Sequence, residues 1–156
     1  MGRVTDRLAE LGITLPEVAA PVAAYVPAVI DGNHVYTSGQ LPFVDGALPE
    51  TGKVGEGDGL VAADRATGYA RLSILNALAA VQSVLGDLDR VTRIVKVTGF
   101  VASDPAFTGQ PGVINGASTT LGDIFGDRGV HARSAVGVAV LPLDAPVEVE
   151  VVLAFE

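Results

Sequence analysis

Charged residues near the end of the chain have the types and spacing that could do chemistry. Arg133 lies in the segment 131–140, and Glu148 and Glu150 alternate with valines in the segment 147–155. A guanidinium is a permanent cation, and carboxyl groups can accept and release protons. These groups could serve one pocket, although polar side chains on a solvated strand face are the simpler interpretation.

The twofold side-chain period of a strand divides both segments into faces. In 147–155 the valines at 147, 149 and 151 share one face, and the two glutamates share the other. In 131–140 the valines at 136, 138 and 140 predict the core face. The opposite face then carries His131, Arg133, Ala135 and Gly137. Because the residues after Arg133 on that face are small and apolar, we expect the face to pack on another subunit.

The expected strand pairing separates Arg133 from Glu148. If the last two strands pair with Val140 opposite Val147, Glu148 faces Ala139, six residues from Arg133. At about 3.3 Å per residue, the two charged residues then lie about 20 Å apart along the sheet. If both serve one pocket, we therefore expect them to come from different chains.

The rest of the chain predicts the elements that must position these residues. The predicted helices are 5–11, 61–85 and 110–126, and the predicted strands are 22–30, 33–38, 91–102, 131–140 and 147–155. This order predicts an α+β fold in which two helices cover one face of a sheet. It includes a parallel crossover from 91–102 through 110–126 to 131–140. We expect a single domain over 1–156, with 1–20 as an N-terminal helical extension.

A two-residue turn is predicted at Asp31-Gly32, because this dipeptide tolerates the positive φ of a type I′ turn. In that register Tyr25 faces Ser38, so both side chains project from one side of the ribbon. The segment 39–60 is a long connection rich in Gly, Pro and acidic residues, without a phosphate-binding glycine motif. Loops of this length in a compact domain are often functional or partly mobile.

Composition narrows the function classes. The 156 residues include no Cys and two His, and the net charge is −8. Without Cys, disulfides, thiolate metal sites and a cysteine nucleophile are excluded, and two His do not make a His-rich metal cluster. An acidic surface repels phosphate groups, so the negative charge disfavours nucleic-acid binding. No apolar run reaches the roughly 18–20 residues of a membrane span, and the N-terminus does not look like a secretory signal. We therefore expect a cytoplasmic protein with no nucleic-acid and no membrane partner.

Four segments of the chain carry recognisable motifs. They are Tyr25–Gln40 (YVPAVIDGNHVYTSGQ), 93–101 (RIVKVTGFV), His131–Val136 (HARSAV) and Leu141-Pro142 followed by Val147–Glu150 (VEVE). In this order they resemble the reactive intermediate deaminase family (RidA/YjgF-like). Each motif is modest alone, but the ordered set is specific, and the resemblance covers roughly residues 20–155.

The resemblance implies a chorismate-mutase-like α+β fold and a homotrimer with ligand clefts between subunits. It implies hydrolysis of reactive 2-imino acids, such as 2-iminopropanoate and 2-iminobutanoate, to 2-keto acids and ammonia, with no metal or organic cofactor. Matched position by position, Arg133 would bind the carboxylate of a small substrate, and Glu148 would position or activate water. The matching pocket positions are Tyr25, Ser38, Gly39, Asn115 and Ala135.

The chain also departs from the family pattern. Ala135 stands where archetypal members carry Cys, and the N-terminal helix and the 39–60 connection exceed the compact family core. An imine-hydrolysing enzyme is the first interpretation. The alternative is a non-catalytic trimer on the same scaffold, with a ligand-binding or regulatory role. The third interpretation is a ribonuclease. His131 is interpreted as a hydrogen-bonded or surface histidine, with a place in the pocket as the alternative.

Overall fold

The computed structural model describes residues 4–18 and 24–156. In these ranges three helices and five strands alternate in an α+β arrangement. The helices are α1 (Val4–Glu10), α2 (Ala63–Leu85) and α3 (Gln110–Phe125), and the strands are β1 (Ala28–Asp31), β2 (His34–Thr37), β3 (Val91–Ala102), β4 (Ala132–Val138) and β5 (Val147–Phe155). The first residues of the predicted strand 22–30 lie outside the described residues, and the strand itself begins at Ala28.

The five strands form one mixed sheet in the order β1-β2-β5-β3-β4. The strands β3 and β4 are parallel, as the predicted crossover through α3 requires, and β5 lies antiparallel between β2 and β3. The direct pairing considered for the last two strands does not occur, because β3 separates them. Both α2 and α3 pack on one face of this sheet, which confirms the predicted layering.

The helix α3 carries glycines at positions where it approaches its neighbours closely. A Cβ added at Gly116 would lie 2.0 Å from the carbonyl oxygen of Thr67 on α2, and one at Gly99 of β3 would lie 2.5 Å from Ile114 of α3. A side chain at either place would push α3 outward. The glycines that weaken the helix propensity of this segment therefore let it pack tightly between α2 and the sheet.

The β1–β2 turn lies one residue later than predicted, and the pairing of the two strands therefore shifts by two residues. Ile30 pairs with Val35 and Asp31 pairs with His34, so the turn residues are Gly32 and Asn33. Gly32 has a φ of +58°, whereas Asn33 is not among the residues with positive φ. A positive φ at the first turn residue alone is the pattern of a type II′ turn, which favours Gly at that position.

The long connection between β2 and α2 is fastened to α2 by side chains. Arg65 donates to both carboxylate oxygens of Glu50 at 2.9 Å, and the hydroxyl of Tyr69 donates to the same carboxylate at 2.7 Å. The amide of Asn76 donates to the carbonyl oxygens of Leu41 and Phe43. Hydrogen bonds from Arg65 and Tyr69 lower the pKa of Glu50. The start of this loop is therefore held against the helix.

Candidate active site

Arg133 lies on β4 at the side of the sheet that α3 covers. Its partner on β3 is Val97, which is fully buried under the helices. Side chains of paired residues project to the same face. The prediction that Arg133 lies on the face opposite the core is therefore wrong, because its side chain projects from the core face of the sheet. The valines of β4 take the open face instead, and Val136 is 43% exposed.

Three hydrogen bonds to α3 fix the guanidinium of Arg133. One terminal nitrogen, Nη1, donates to Oδ1 of Asn115 at 2.8 Å and to Oγ of Ser118 at 3.2 Å. The other, Nη2, donates to the carbonyl oxygen of Pro111 at 3.2 Å. No hydrogen bond among the described residues uses Nε. The guanidinium is thus held in place and keeps donors for an anion.

His131 and Ser118 complete this group of polar side chains. The Nε2 atom of His131 lies 2.9 Å from Oγ of Ser118, and its Nδ1 atom lies 2.6 Å from the carbonyl oxygen of Gly129. We call the residues Asn115, Ser118, His131 and Arg133 the arginine cluster. They line an open depression of about 360 Å³ together with Gly122, Gly129 and Val130. Both interpretations of His131 hold: it is hydrogen-bonded, and it lines the pocket.

Glu148 lies on the opposite face of the sheet. Its partner on β3 is Phe100, whereas its neighbours Val147 and Val149 are fully buried under the helices. The prediction that period two separates these valines from Glu148 and Glu150 is confirmed. No hydrogen bond among the described residues reaches the Glu148 carboxyl group. Partial burial, and secondarily the charge of Glu150, raises the pKa of Glu148.

Gly39 leaves room for the Glu148 carboxyl group. A Cβ at Gly39 would lie 1.9 Å from Oε1 of Glu148. The next bond along the chain, between the Gln40 amide and the Val149 carbonyl, fixes this backbone beside β5. Gly39 and Glu148, which the family resemblance assigns to one pocket, are therefore in contact.

Ser38 ties the segment before β1 to the end of β2. Its hydroxyl donates to the carbonyl oxygen of Val26 at 2.6 Å, and its amide donates to the carbonyl oxygen of Pro27 at 2.8 Å. The predicted pairing of Tyr25 with Ser38 is wrong: the register differs by two residues, and β1 begins only at Ala28. Tyr25 is 51% exposed. We call Tyr25, Ser38, Gly39 and Glu148 the carboxylate cluster.

The two clusters lie on opposite faces in one chain. Along β3, the partners of Arg133 and Glu148 are Val97 and Phe100, an offset of three residues or about 10 Å. The predicted separation of about 20 Å along the sheet is wrong, because it assumed a hairpin between β4 and β5. Ala135 follows Arg133 on the core side, pairs with Gly99 and packs against the core, so it does not form an outer face.

Ser118 is the polar member that the sequence interpretation missed. It lies three residues after Asn115 on α3, and residues at this spacing share one helix face. His131 lies two residues before Arg133, so strand parity brings it to the same side. The two spacings together could have indicated that these four side chains meet.

A larger depression of about 520 Å³ lies beside the C-terminal end of α3 and is lined by Arg7, Arg128 and neighbouring residues. Its arginines are already engaged. Arg7 binds the Asp123 carbonyl and Glu10, and Arg128 binds the Val91 carbonyl and stacks over Phe125. It contains none of the predicted site residues, so the arginine cluster is the better candidate for ligand chemistry.

The open face of the sheet carries exposed apolar side chains as well as Glu148 and Glu150. Those exposed by more than two-fifths on this face are Val29, Tyr36 and Val136. Apolar patches of this kind mark interaction surfaces. Within residues 4–18 and 24–156, no cluster of three or more His, Asp or Glu side chains could hold a metal ion. Over the same residues, every helix is too short or too polar to cross a lipid bilayer.

Comparison with known proteins places these features in a family. A family model described as "YjgF/chorismate_mutase-like, putative endoribonuclease" matches residues 5–154. Protein TCP17 of Trypanosoma cruzi is 45% identical over 150 residues, which cover 96% of this chain and 92% of that protein.

Solved structures share the fold. A Shewanella oneidensis protein with the same endoribonuclease description superposes with a TM-score of 0.93 at 32% identity, over 99% of this chain and 100% of that one. Escherichia coli TdcF, solved with bound serine, superposes with a TM-score of 0.63 at 26% identity, over 92% of this chain and 96% of that one. The fold therefore matches that of a protein that binds a small amino acid.

Proposed function

The chain belongs to the YjgF/chorismate mutase-like family, and on that premise we propose that it hydrolyses reactive 2-imino acids to 2-keto acids and ammonia. The substrates are of the 2-iminopropanoate and 2-iminobutanoate type. The active unit is a homotrimer, and each site takes the arginine cluster of one subunit and the carboxylate cluster of its neighbour.

One observation supports the proposal: the Arg133 guanidinium is fixed at the wall of an open depression, and its Nε donor has no hydrogen-bond partner within residues 4–18 and 24–156. A planar guanidinium with two adjacent donors suits a carboxylate, which it binds through two parallel hydrogen bonds. The serine bound in the TdcF structure is a small molecule with a carboxylate. A 2-imino acid has the same carboxylate beside its reacting carbon.

Glu148 supplies the acid–base group. Its pKa is raised by partial burial and by Glu150, so near neutral pH it is closer to equal acid and base populations than an exposed glutamate is. Its carboxylate takes no hydrogen bond from the described residues and can therefore hold a water molecule. A carboxyl group that both accepts and returns a proton suits a reaction that needs each in turn.

The reaction follows from these placements. Arg133 of one subunit holds the substrate carboxylate, and Glu148 of the next removes a proton from water as the oxygen attacks the imine carbon. The product is a tetrahedral carbinolamine. Glu148 passes this first proton to the imine nitrogen, which completes the amino group of the carbinolamine. It then carries the proton of the new hydroxyl group to the same nitrogen, the carbon–nitrogen bond breaks, and ammonia leaves as the carbonyl forms. A positioned acid–base group typically accelerates such steps about 10²–10⁴-fold.

The open sheet face supports the assembly. A cyclic trimer joins unlike surfaces of neighbouring subunits, so one surface of each chain meets a different surface of the next. The apolar open face that carries Glu148 would be covered in this ring. Such a ring brings a Glu148 to an Arg133 that the fold of one chain keeps on the other face.

The test is keto-acid formation from an imine generated in place. An amino-acid oxidase or threonine dehydratase supplies the imine, and semicarbazide traps what has not been hydrolysed. We expect wild-type protein to reduce the trapped product and Arg133→Ala to lose the effect. Arg71→Ala is the matched control, because Arg71 is exposed on α2. Equal rates for wild type and Arg133→Ala would reject catalysis and leave a ligand-binding trimer.

A further inference from the structure

We propose that Ser118 and His131 form a nucleophile–base pair that gives this protein a second activity, hydrolysis of esters of small organic acids through an acyl-serine intermediate. The activity lies within the arginine cluster of a single chain. It does not depend on imine hydrolysis.

The hydrogen bonds of Ser118 run in one direction. A guanidinium only donates, so the Ser118 oxygen accepts from Nη1 of Arg133, and its own hydrogen is left for Nε2 of His131. The Gly129 carbonyl only accepts, so Nδ1 of His131 carries the ring proton. In the neutral ring Nε2 is then an acceptor aimed at the serine hydroxyl. This is the arrangement of an activated nucleophile, a base and a group that orients the base.

Three other helical hydroxyls in this protein behave differently. Thr67, Ser83 and Thr120 each donate to a carbonyl of their own helix. Ser118, on the same helix as Thr120, has its hydrogen bonds with Arg133 and His131 instead. Its hydroxyl is therefore directed away from the helix backbone and into the open depression that it lines.

The surroundings favour developing negative charge. The Arg133 guanidinium lies 3.2 Å from the Ser118 oxygen and would stabilise both an alkoxide and a tetrahedral oxyanion. Asn115 presents its Oδ1 atom to Arg133, so its Nδ2 group is left as a donor in the same depression. Gly129 is buried, and a Cβ there would lie 2.5 Å from the Leu121 carbonyl, so the peptide that orients His131 is tightly packed.

The proposed hydrolysis has two stages, the formation of an acyl-serine and its hydrolysis. Ser118 Oγ bonds to the acyl carbon while its proton passes to Nε2 of His131. The tetrahedral intermediate collapses, the alkoxy group leaves with that proton as an alcohol, and an acyl-serine remains. Water then attacks the acyl carbon, gives a proton to His131, and releases the acid as Ser118 regains its hydrogen. The free donors of Arg133 favour an ester that carries a carboxylate of its own.

Active-site labelling tests the pair directly. The full-length protein is treated with diisopropyl fluorophosphate, in which the serine oxygen bonds to phosphorus and fluoride leaves. Intact mass and peptide mapping then locate the adduct. We expect one adduct at Ser118, none in Ser118→Ala, and labelling slowed about 100-fold or more in His131→Gln. The controls Ser83→Ala and His34→Gln, which change the other kind of serine and the other histidine, should label like wild type.

Ester hydrolysis is the second measurement. We expect the protein to hydrolyse mono-4-nitrophenyl succinate faster than 4-nitrophenyl acetate, and Ser118→Ala to fall to the background rate. Failure of wild-type protein to label or to hydrolyse either ester would overturn the proposal. So would labelling that is equal in wild type and His131→Gln. A preference for the acetate would overturn the assignment of a carboxylate-bearing substrate.

Discussion

Arg133 and Glu148 of one chain lie on opposite faces of the same sheet, only three residues apart in register along β3. Arg133 pairs with the buried Val97, and Glu148 pairs with Phe100 on the open face. Since the backbone of the sheet separates them, they cannot bind one small molecule within a single chain. A site that uses both side chains therefore requires a second subunit.

The first prediction concerns the shape of the cation at position 133. Arg133→Lys keeps the charge but loses the planar pair of donors, so kcat/KM for imine hydrolysis should fall about 10- to 100-fold. Arg71→Lys, on an exposed surface, should have no effect. Rates of keto-acid release measure both. A lysine variant as active as wild type would show that charge alone suffices and that no bidentate contact is made.

The second prediction concerns the space beside the carboxyl group. Gly39→Ala would place a methyl group where Oε1 of Glu148 now lies, and the displaced carboxyl group should lower kcat about 100-fold. The control is Gly68→Ala, at a helix position with open space around it. That variant should keep its activity and gain up to about 1 kcal/mol of stability. Full activity in Gly39→Ala would contradict the role of Glu148.

The third prediction links Glu148 to the pH dependence of stability. Folding raises the pKa of Glu148, so as pH rises the unfolded state loses this proton first and unfolding becomes more favourable. This loss of stability is absent below about pH 4, where Glu148 is protonated in both the folded and the unfolded state. It grows with pH until the folded state also ionises, and is constant above that.

Glu148→Gln removes this cost. Urea unfolding should show equal stability of variant and wild type in acid, and a more stable variant at neutral pH. Glu150→Gln should lower the pKa of Glu148, because Glu150 contributes to the shift. This variant should therefore also be more stable than wild type at neutral pH. A Glu148→Gln variant less stable than wild type at neutral pH would show that the carboxylate has a favourable partner.

The fourth prediction concerns the open face. Val136→Asp places a charge on an apolar side chain that is 43% exposed in one chain, so in the trimer it would bury an unpaired carboxylate. We expect light scattering to show monomers and the imine assay to show no activity. Val84→Asp, at an exposed position on α2, should remain trimeric. If wild-type protein is itself monomeric and active, the shared site is rejected.

Much of the fold could be predicted from sequence because its elements have strong local patterns. The strands 91–102 and 147–155 have the predicted bounds, and the long helix begins within two residues of its prediction. The residues of the β1–β2 turn could not be predicted in the same way. A two-residue change of pairing keeps every side chain on its face, so the apolar pattern cannot choose between Asp31-Gly32 and Gly32-Asn33. The pairing of Ile30 with Val35 in the structure reveals the choice.

The face of β4 could not be predicted, because period two gives relative and not absolute orientation. The usual rule turns the valines towards the core. Here α3 lies so close to the sheet that only small residues fit: a Cβ at Gly137 would lie 2.8 Å from Gln110. Ala135 and Gly137 therefore face the helix and carry Arg133 with them, while Val136 is left on the open face. A rule built on one chain does not account for a face that, in the proposed trimer, another chain covers.

The most direct test of the shared site mixes two inactive variants. Arg133→Ala and Glu148→Gln are co-expressed with different tags, and doubly tagged trimers are purified and assayed for imine hydrolysis. In every cyclic trimer that contains both variants, about one site in three combines an intact arginine with an intact glutamate from the next subunit. The purified mixed trimers should therefore recover about a third of wild-type activity. Recovery of none, with mixed trimers present and each parent inactive, would contradict a site built from two subunits.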